Sequence, residues 1–147
     1  MLRSFDGVEP DVHDSAYVDP AAVVIGDVTL EADASVWPNT TLVLHEGAEI
    51  GPYATVGHTA IVHNAAVRER GLVGMGATVL DRSVVGEAAM VGANSLVRED
   101  TTIEPSTLYA GVPAEKVKAV EDSPWAYAGD RYVQLACEHA ERSERIE

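Results

Sequence analysis

The chain has 147 residues, enough for one continuous core, and although 46% of them are hydrophobic it holds only one Phe, two Trp and five Tyr, so the core must be built from Val, Leu, Ile and Ala. Lys and Arg number 10 against 24 Asp and Glu, a formal charge of −14, which argues against a nucleic-acid partner because neutralising phosphates needs a basic face. A surface this acidic, with Lys116 and Lys118 as its lysines, suits a salt-rich, halophilic cytoplasm where screening shortens self-repulsion; a solvated acidic face in an ordinary host is the plainer alternative.

In chain order, Met1 to Gly7 show no basic stretch followed by an apolar run, so no secretory signal is expected. No apolar segment approaches the ~20 residues of a membrane span, so no membrane partner is expected either. The lone Cys137 cannot close an internal disulfide and agrees with a reducing, cytoplasmic setting.

A period of six then dominates. Val12, Val18, Val24, Leu30, Val36 and Leu42 follow one another at six-residue steps, Ile50, Val56 and Val62 continue in a second frame, and Val67, Val73, Val79, Val85, Val91, Val97 and Ile103 hold a third. Neither an amphipathic helix nor an alternating hairpin strand repeats at six. A prism does, if its short strands turn a corner every six residues with the aliphatic side chain inside and a small residue, as in Val-Gly at 56–57, 73–74, 85–86 and 91–92, easing the corner. The prediction is an all-β solenoid of parallel strands, three sides and eighteen residues per coil, with coils about 4.8 Å apart. The hexads amount to a little over five coils. Gly74-Met75-Gly76 reads as a packed corner and not as a phosphate loop, since no strand-to-helix context accompanies it.

The repeat fades near Leu108, and Tyr109-Ala110-Gly111-Val112-Pro113 should end it. Residues 1–112 are therefore read as the solenoid and 113–147 as a connector and helix of the same domain. Ser123-Pro124 resembles a helix start, and Tyr132, Leu135, Ala136, His139 and Ala140 share one face of a helix expected over about 125–144. That helix should lie on the solenoid or a neighbouring subunit and shield apolar surface or the open C-terminal sheet edge. Cys137 on it reads as a small hydrophobe.

Three of the five histidines lie close together: His45, His58 and His63. His45 and His63 are eighteen residues apart, one full coil if no residue is looped out, which would place both side chains on the same face of adjacent layers. Two such imidazoles can share a metal ion. His58 lies along a different part of the coil and would reach the site of a partner instead, so a trimer follows as a hypothesis. His13 and His139 lack such partners and read as surface or packing residues.

Gly57-His58-Thr59-Ala60-Ile61-Val62-His63, Leu72-Val73-Gly74-Met75-Gly76-Ala77 and Ala110-Gly111-Val112-Pro113-Ala114 resemble the γ-class carbonic anhydrase family, as do Val24-Ile25-Gly26-Asp27-Val28 and Ser35-Val36-Trp37-Pro38 upstream. The resemblance implies a left-handed β-helix and a homotrimer with metal sites at its interfaces. It also implies Zn2+, or Fe2+ or Co2+, held by His45, His58 and His63, with His58 donated by the neighbour, and the reversible hydration of CO2 to bicarbonate. The chain departs from the family pattern after Trp37. Asn39-Thr40-Thr41-Leu42-Val43-Leu44 leads straight into His45, so about one coil, with the family's Arg, Asp and Gln, is absent, and the loop between the first two ligands is shortened. Glu46 and Glu49 are candidate proton shuttles, and Tyr53 and Asn64 candidate hydrogen-bond partners of metal solvent. Two rival readings share the solenoid: a hexapeptide-repeat acyltransferase, which would not need three histidines in register, and a non-catalytic metal-binding or assembly protein.

Overall fold

The computed structural model describes residues 1–120, 127–144 and 146, and of Leu44 and His45 the backbone alone. The described strands are β1 (Leu2–Arg3), β2 (Asp11–Val12), β3 (Tyr17–Val18), β4 (Val23–Leu30), β5 (Ser35–Val36), β6 (Thr41–Ile50), β7 (Thr55–Val56), β8 (Ile61–His63) and β9 (Ala66–Val67). They continue with β10 (Leu72–Val73), β11 (Thr78–Val79), β12 (Val84–Val85), β13 (Met90–Val91), β14 (Leu96–Val97), β15 (Thr102–Ile103), β16 (Thr107–Gly111) and β17 (Ala114–Ala119). Helix α1 (Ala128–Arg142) follows.

Parallel pairing sorts these strands into three faces. The first face stacks β1, the start of β4, the start of β6, β8, β11 and β14. The second stacks β2, the end of β4, the end of β6, β9, β12 and β15, and the third stacks β3, β5, β7, β10, β13 and β16. One aliphatic residue per side points inward: Val24, Leu42, Val62, Val79 and Val97 on the first face, Leu30, Ile50, Val67, Val85 and Ile103 on the second, all 0–1% exposed. Val36, Val56, Val73 and Val91 complete the third. The six-residue period is thus the length of one side, and the predicted all-β solenoid is the observed fold.

Each face carries six parallel strands, where the hexads amount to little more than five coils. Two strands lie outside the periodic segment: β1 ahead of it, which pairs Leu2 with Val24 and Arg3 with Ile25 and is anchored by the Met1 amino group donating to the Ala22 carbonyl, and β16 after it, which pairs Leu108 with Met90 and Tyr109 with Val91.

The corners are sharper than small residues alone explain. Left-handed backbone falls mainly on residues with side chains, among them Tyr53 and Arg70 between the second and third faces and Asn64, Arg82 and Asp100 between the first and second. Gly74 and Gly86 are needed for space instead: a Cβ on Gly74 would stand 2.6 Å from the Val91 carbonyl oxygen, and one on Gly86 2.5 Å from that of Ile103. At the corner after the first face the equivalent positions are held by His63, Leu80 and Arg98.

At the C-terminal end the chain does not simply leave the coil. It turns back after Gly111, and β17 runs antiparallel to β16, covering the edge of the third face. Helix α1 lies within the expected span, while the expected start at Ser123-Pro124 falls outside the described residues. The helix packs on β3 and β5 and so covers the outside of the third face at the first coils, not the C-terminal edge. Gly129 allows this approach, a Cβ there standing 3.0 Å from the Tyr53 carbonyl oxygen, and Asp130 pairs with Arg70 at 3.1 Å. Ala136 is buried, but Cys137 is exposed, lining a crevice with Ala16, Tyr17 and Val133; it is not the packed hydrophobe expected. Among the described residues no helix is long and apolar enough to cross a membrane.

Candidate metal centre

The eighteen-residue register expected of His45 and His63 does not hold. Strand β6 pairs Leu42 with Val62 and Val43 with His63, so His63 stands across from Val43, and His45 lies two residues further along the strand. The cause is a bulge. Between β4 and β6, Gly26 pairs with Leu44 but Val28 with Ala48, so β6 carries two more residues than its neighbour over this stretch, with Gly47 left-handed at φ +82. On the other side Ile50 pairs with Val67, and the bulge closes. The backbone of His45 and Glu46 therefore sits in a local excursion of the ladder. Both His45 and His63 still lie at the corner between the first and second faces. His58 sits at the opposite edge of the first face, in the turn between β7 and β8.

His63 is half-exposed, and its Nδ1 lies 2.6 Å from Oδ1 of Asp81. The other Asp81 oxygen accepts Nδ2 of Asn64 at 3.0 Å. The hydrogen bond from Asn64, and after it that from His63, holds the Asp81 carboxyl below its ordinary range. Next along the same corner, Arg82 engages Asp100 through Nε at 2.7 Å and Nη2 at 3.2 Å. Asp81 carries no signature within the hexads; the clue available in the sequence was its eighteen-residue distance from His63.

The other candidates divide. Glu46 is exposed and lines a shallow pocket with Asn64, Arg82 and Ser83, so it belongs to this corner. Glu49 is turned to the second face, where it accepts Arg68 at 2.6 Å. Tyr53 lies at the corner between the second and third faces, its ring 4.7 Å beneath the Arg70 guanidinium. His58 stacks on the indole of Trp37 at 5.6 Å between ring centroids and 28° between planes. Trp37 is 1% exposed, and His139 and Tyr132 of α1 meet it edge-on at 5.2 and 5.9 Å. His139 is thus a packing residue. His13 accepts from the Ser15 backbone in a surface turn.

Among the described residues no group of three or more His, Cys, Asp or Glu converges to hold an ion; the His45 side chain is not among them. Between the corners of His58 and His63 runs the outward side of the first face. Strand alternation places Val23, Ile25, Val43, Ile61, Leu80 and Leu96 there, half-buried except Ile61 at 40% exposure, interspersed with Thr41, Thr78 and Arg98.

Fold and corner together define a hexapeptide-repeat β-helix protein with a histidine-bearing edge. A hexapeptide transferase family protein from Anaplasma phagocytophilum superposes on it with a TM-score of 0.76 at 29% identity, covering 92% of this chain and 96% of that one. The coil is that of the left-handed β-helices. Gamma carbonic anhydrase 2, mitochondrial, of Arabidopsis thaliana is 31% identical over 177 aligned positions, which take in 99% of this chain and 63% of the plant protein. Carnitine operon protein CaiE of Shigella flexneri is 33% identical over 81% of this chain and 72% of its own length. No family model matches the chain. The chain belongs to the family of hexapeptide-repeat proteins that contains the γ-class carbonic anhydrases. It spans under two thirds of the plant relative, and the 177 aligned positions exceed its 147 residues, so at least 30 of them have no counterpart here.

Proposed function

We propose that this chain assembles as a homotrimer, binds a divalent metal ion through His45 and His63 of one copy and His58 of the next, and catalyses the reversible hydration of CO2 to bicarbonate and a proton. The observation that carries the reading is the apolar outer side of the first face, bordered by His63 at one corner and His58 at the other. In a cyclic assembly each copy offers one corner to a neighbour and receives the other, a heterologous contact that buries the strip between them. Histidines at different corners of one chain then meet across the interface.

The donor set fits Zn2+, with Fe2+ or Co2+ as alternatives, because neutral imidazoles suit these ions. Such an ion, when bound, supplies the charge that acidifies water to a pKa of about 7, the value known for carbonic anhydrase. His63 and His45 hold it from one side of the interface and His58 from the other, stacked on Trp37 so that its ring is oriented before assembly. Glu46, exposed at the same corner beside Asn64 and Arg82, passes the product proton to solvent. The apolar residues of the first face keep water out of the space beside the histidines. The setting is cytoplasmic, in keeping with one unpaired cysteine.

Two findings favour other readings. The aligned positions without counterpart in this chain, together with the segment absent after Trp37, favour a metal-binding or assembly protein without turnover. The Anaplasma structure is named a hexapeptide transferase family protein, which favours a transferase; for the acyltransferase reading, turnover would run without metal and require an acyl-CoA. Stopped-flow CO2 hydration on metal-quantified protein, with His63→Ala as control, separates them. Hydration that tracks bound metal and vanishes in the control supports the proposal. Stoichiometric metal with no hydration above the control leaves the assembly reading, and acyl-CoA turnover by metal-free protein leaves the transferase.

A further inference from the structure

Asp81 reaches the site from the coil after the one that carries His63. Ile61 pairs with Thr78 and Val62 with Val79, so two residues beyond Val79 the chain stands at the corner already occupied by His63 and Asn64. The backbone there is tied on both sides: the Arg82 N–H donates to the Asn64 carbonyl at 2.7 Å, and the Asp100 N–H donates to the Asp81 carbonyl at 3.0 Å. The neighbouring Arg82 guanidinium is engaged by Asp100 at 2.7 Å. One Asp81 oxygen takes the Asn64 amide, and the other lies 2.6 Å from His63 Nδ1.

An ionised carboxylate can only accept hydrogen bonds, so the proton of that contact belongs to His63 Nδ1. A neutral imidazole with its proton on Nδ1 has its lone pair on Nε2. We propose that Asp81 is a positioning residue for His63: it pins the Nδ1–H tautomer, fixes the ring and presents Nε2 to the shared metal ion, with Asn64 holding Asp81 in place. This rests on the metal reading above and adds to it a residue from a different coil. Carboxylate partners of this kind raise the basicity of a metal-binding imidazole, and losing one lowers metal affinity by about 10- to 100-fold.

The test uses the full-length protein stripped of metal and titrated with Co2+, followed by its visible absorption, for wild type, Asp81→Ala, Asp81→Asn and His63→Ala. Nitrogen-15 NMR of the metal-free protein reports the His63 tautomer. We expect Co2+ affinity to fall by about 10- to 100-fold in Asp81→Ala. Asp81→Asn should fall by less, since its amide oxygen still accepts from Nδ1 but carries no charge. In wild type the proton should sit on Nδ1, and that preference should disappear in Asp81→Ala. The near-isosteric Asp81→Asn guards against a folding defect in Asp81→Ala. Affinities of both Asp81 variants within about twofold of wild type, alongside loss of binding in His63→Ala, would overturn the role of Asp81 while leaving the metal site intact. Unchanged binding in His63→Ala would overturn the metal reading, and this inference with it.

Discussion

Trp37 joins the helix to the corner that carries His58, and replacing it by Ala tests how much of the structure depends on that junction. Its indole is 1% exposed, donates from Nε1 to Ser35 Oγ at 3.2 Å, and is surrounded by Tyr17, His58, Tyr132 and His139. Truncating a buried Trp costs about 3–5 kcal/mol, because the cavity left behind adds to the lost transfer energy. In a chain of this size each kcal/mol lowers Tm by roughly 2–4 °C, so the whole loss corresponds to a drop of about 6–20 °C. Part of it should appear locally. Tyr132 and His139 are the aromatic anchors of α1, and without the indole the helix loses both its edge-on contacts. Thermal melts by circular dichroism, with amide hydrogen exchange over residues 128–142, separate the two effects. We expect α1 protection to fall further than that of the inner strands, and Trp37→Phe to recover most of it by restoring a ring. A Tm within about 1 °C of wild type and unchanged exchange in α1 would refute the assignment of Trp37 as the junction.

Gly74→Ala places a Cβ against three backbone atoms of the next coil, the nearest at 2.6 Å, and none can swing away; a loss of about 1–3 kcal/mol is expected by chemical denaturation, and no loss would mean the coils can part locally. The Tyr17 hydroxyl, pushed up to about 12 by burial and then by its hydrogen bond to Asp19, should titrate late in the phenolate absorbance, and Tyr17→Phe should remove that step. Because the folded value lies above the ordinary 10.0, its stabilising effect is complete below pH 10 and is lost as the pH rises through about 12. Mixing His58→Ala with His63→Ala protein under subunit exchange should restore about a quarter of the metal sites, those between one variant's intact His63 corner and the other's intact His58; no recovery would place all ligands within one chain. With a formal charge of −14, melting should shift upward with KCl to molar concentration, and a flat series would remove the halophilic reading.

The fold was legible because its period is a local property. Val24, Leu42, Val62, Val79 and Val97 are buried for the same reason that they recur, each filling one side of a three-sided coil, and no tertiary information is needed to see it. The amphipathic stretch of α1 was legible for similar reasons, although the surface it covers was not. Its docking on β3 and β5 depends on Trp37 and Gly129, which are distant in sequence.

The histidine edge shows where local reasoning stops. Counting residues from His45 to His63 assumes that every one advances the ladder, and the bulge around Gly47 breaks the count without disturbing the hydrophobic pattern on either side. Asp81 was invisible for the opposite reason: it does lie one coil from His63, but an Asp at a solenoid corner looks like any other solvated acid until its oxygens are seen on His63 and Asn64. The sequence by itself determined the solenoid, its three buried rows and the residue types able to hold a metal ion. Tertiary structure alone decided their register, the face that α1 covers and the partner that orients His63, because each depends on residues whose separation in space is set by the number of residues per coil, and that number varies.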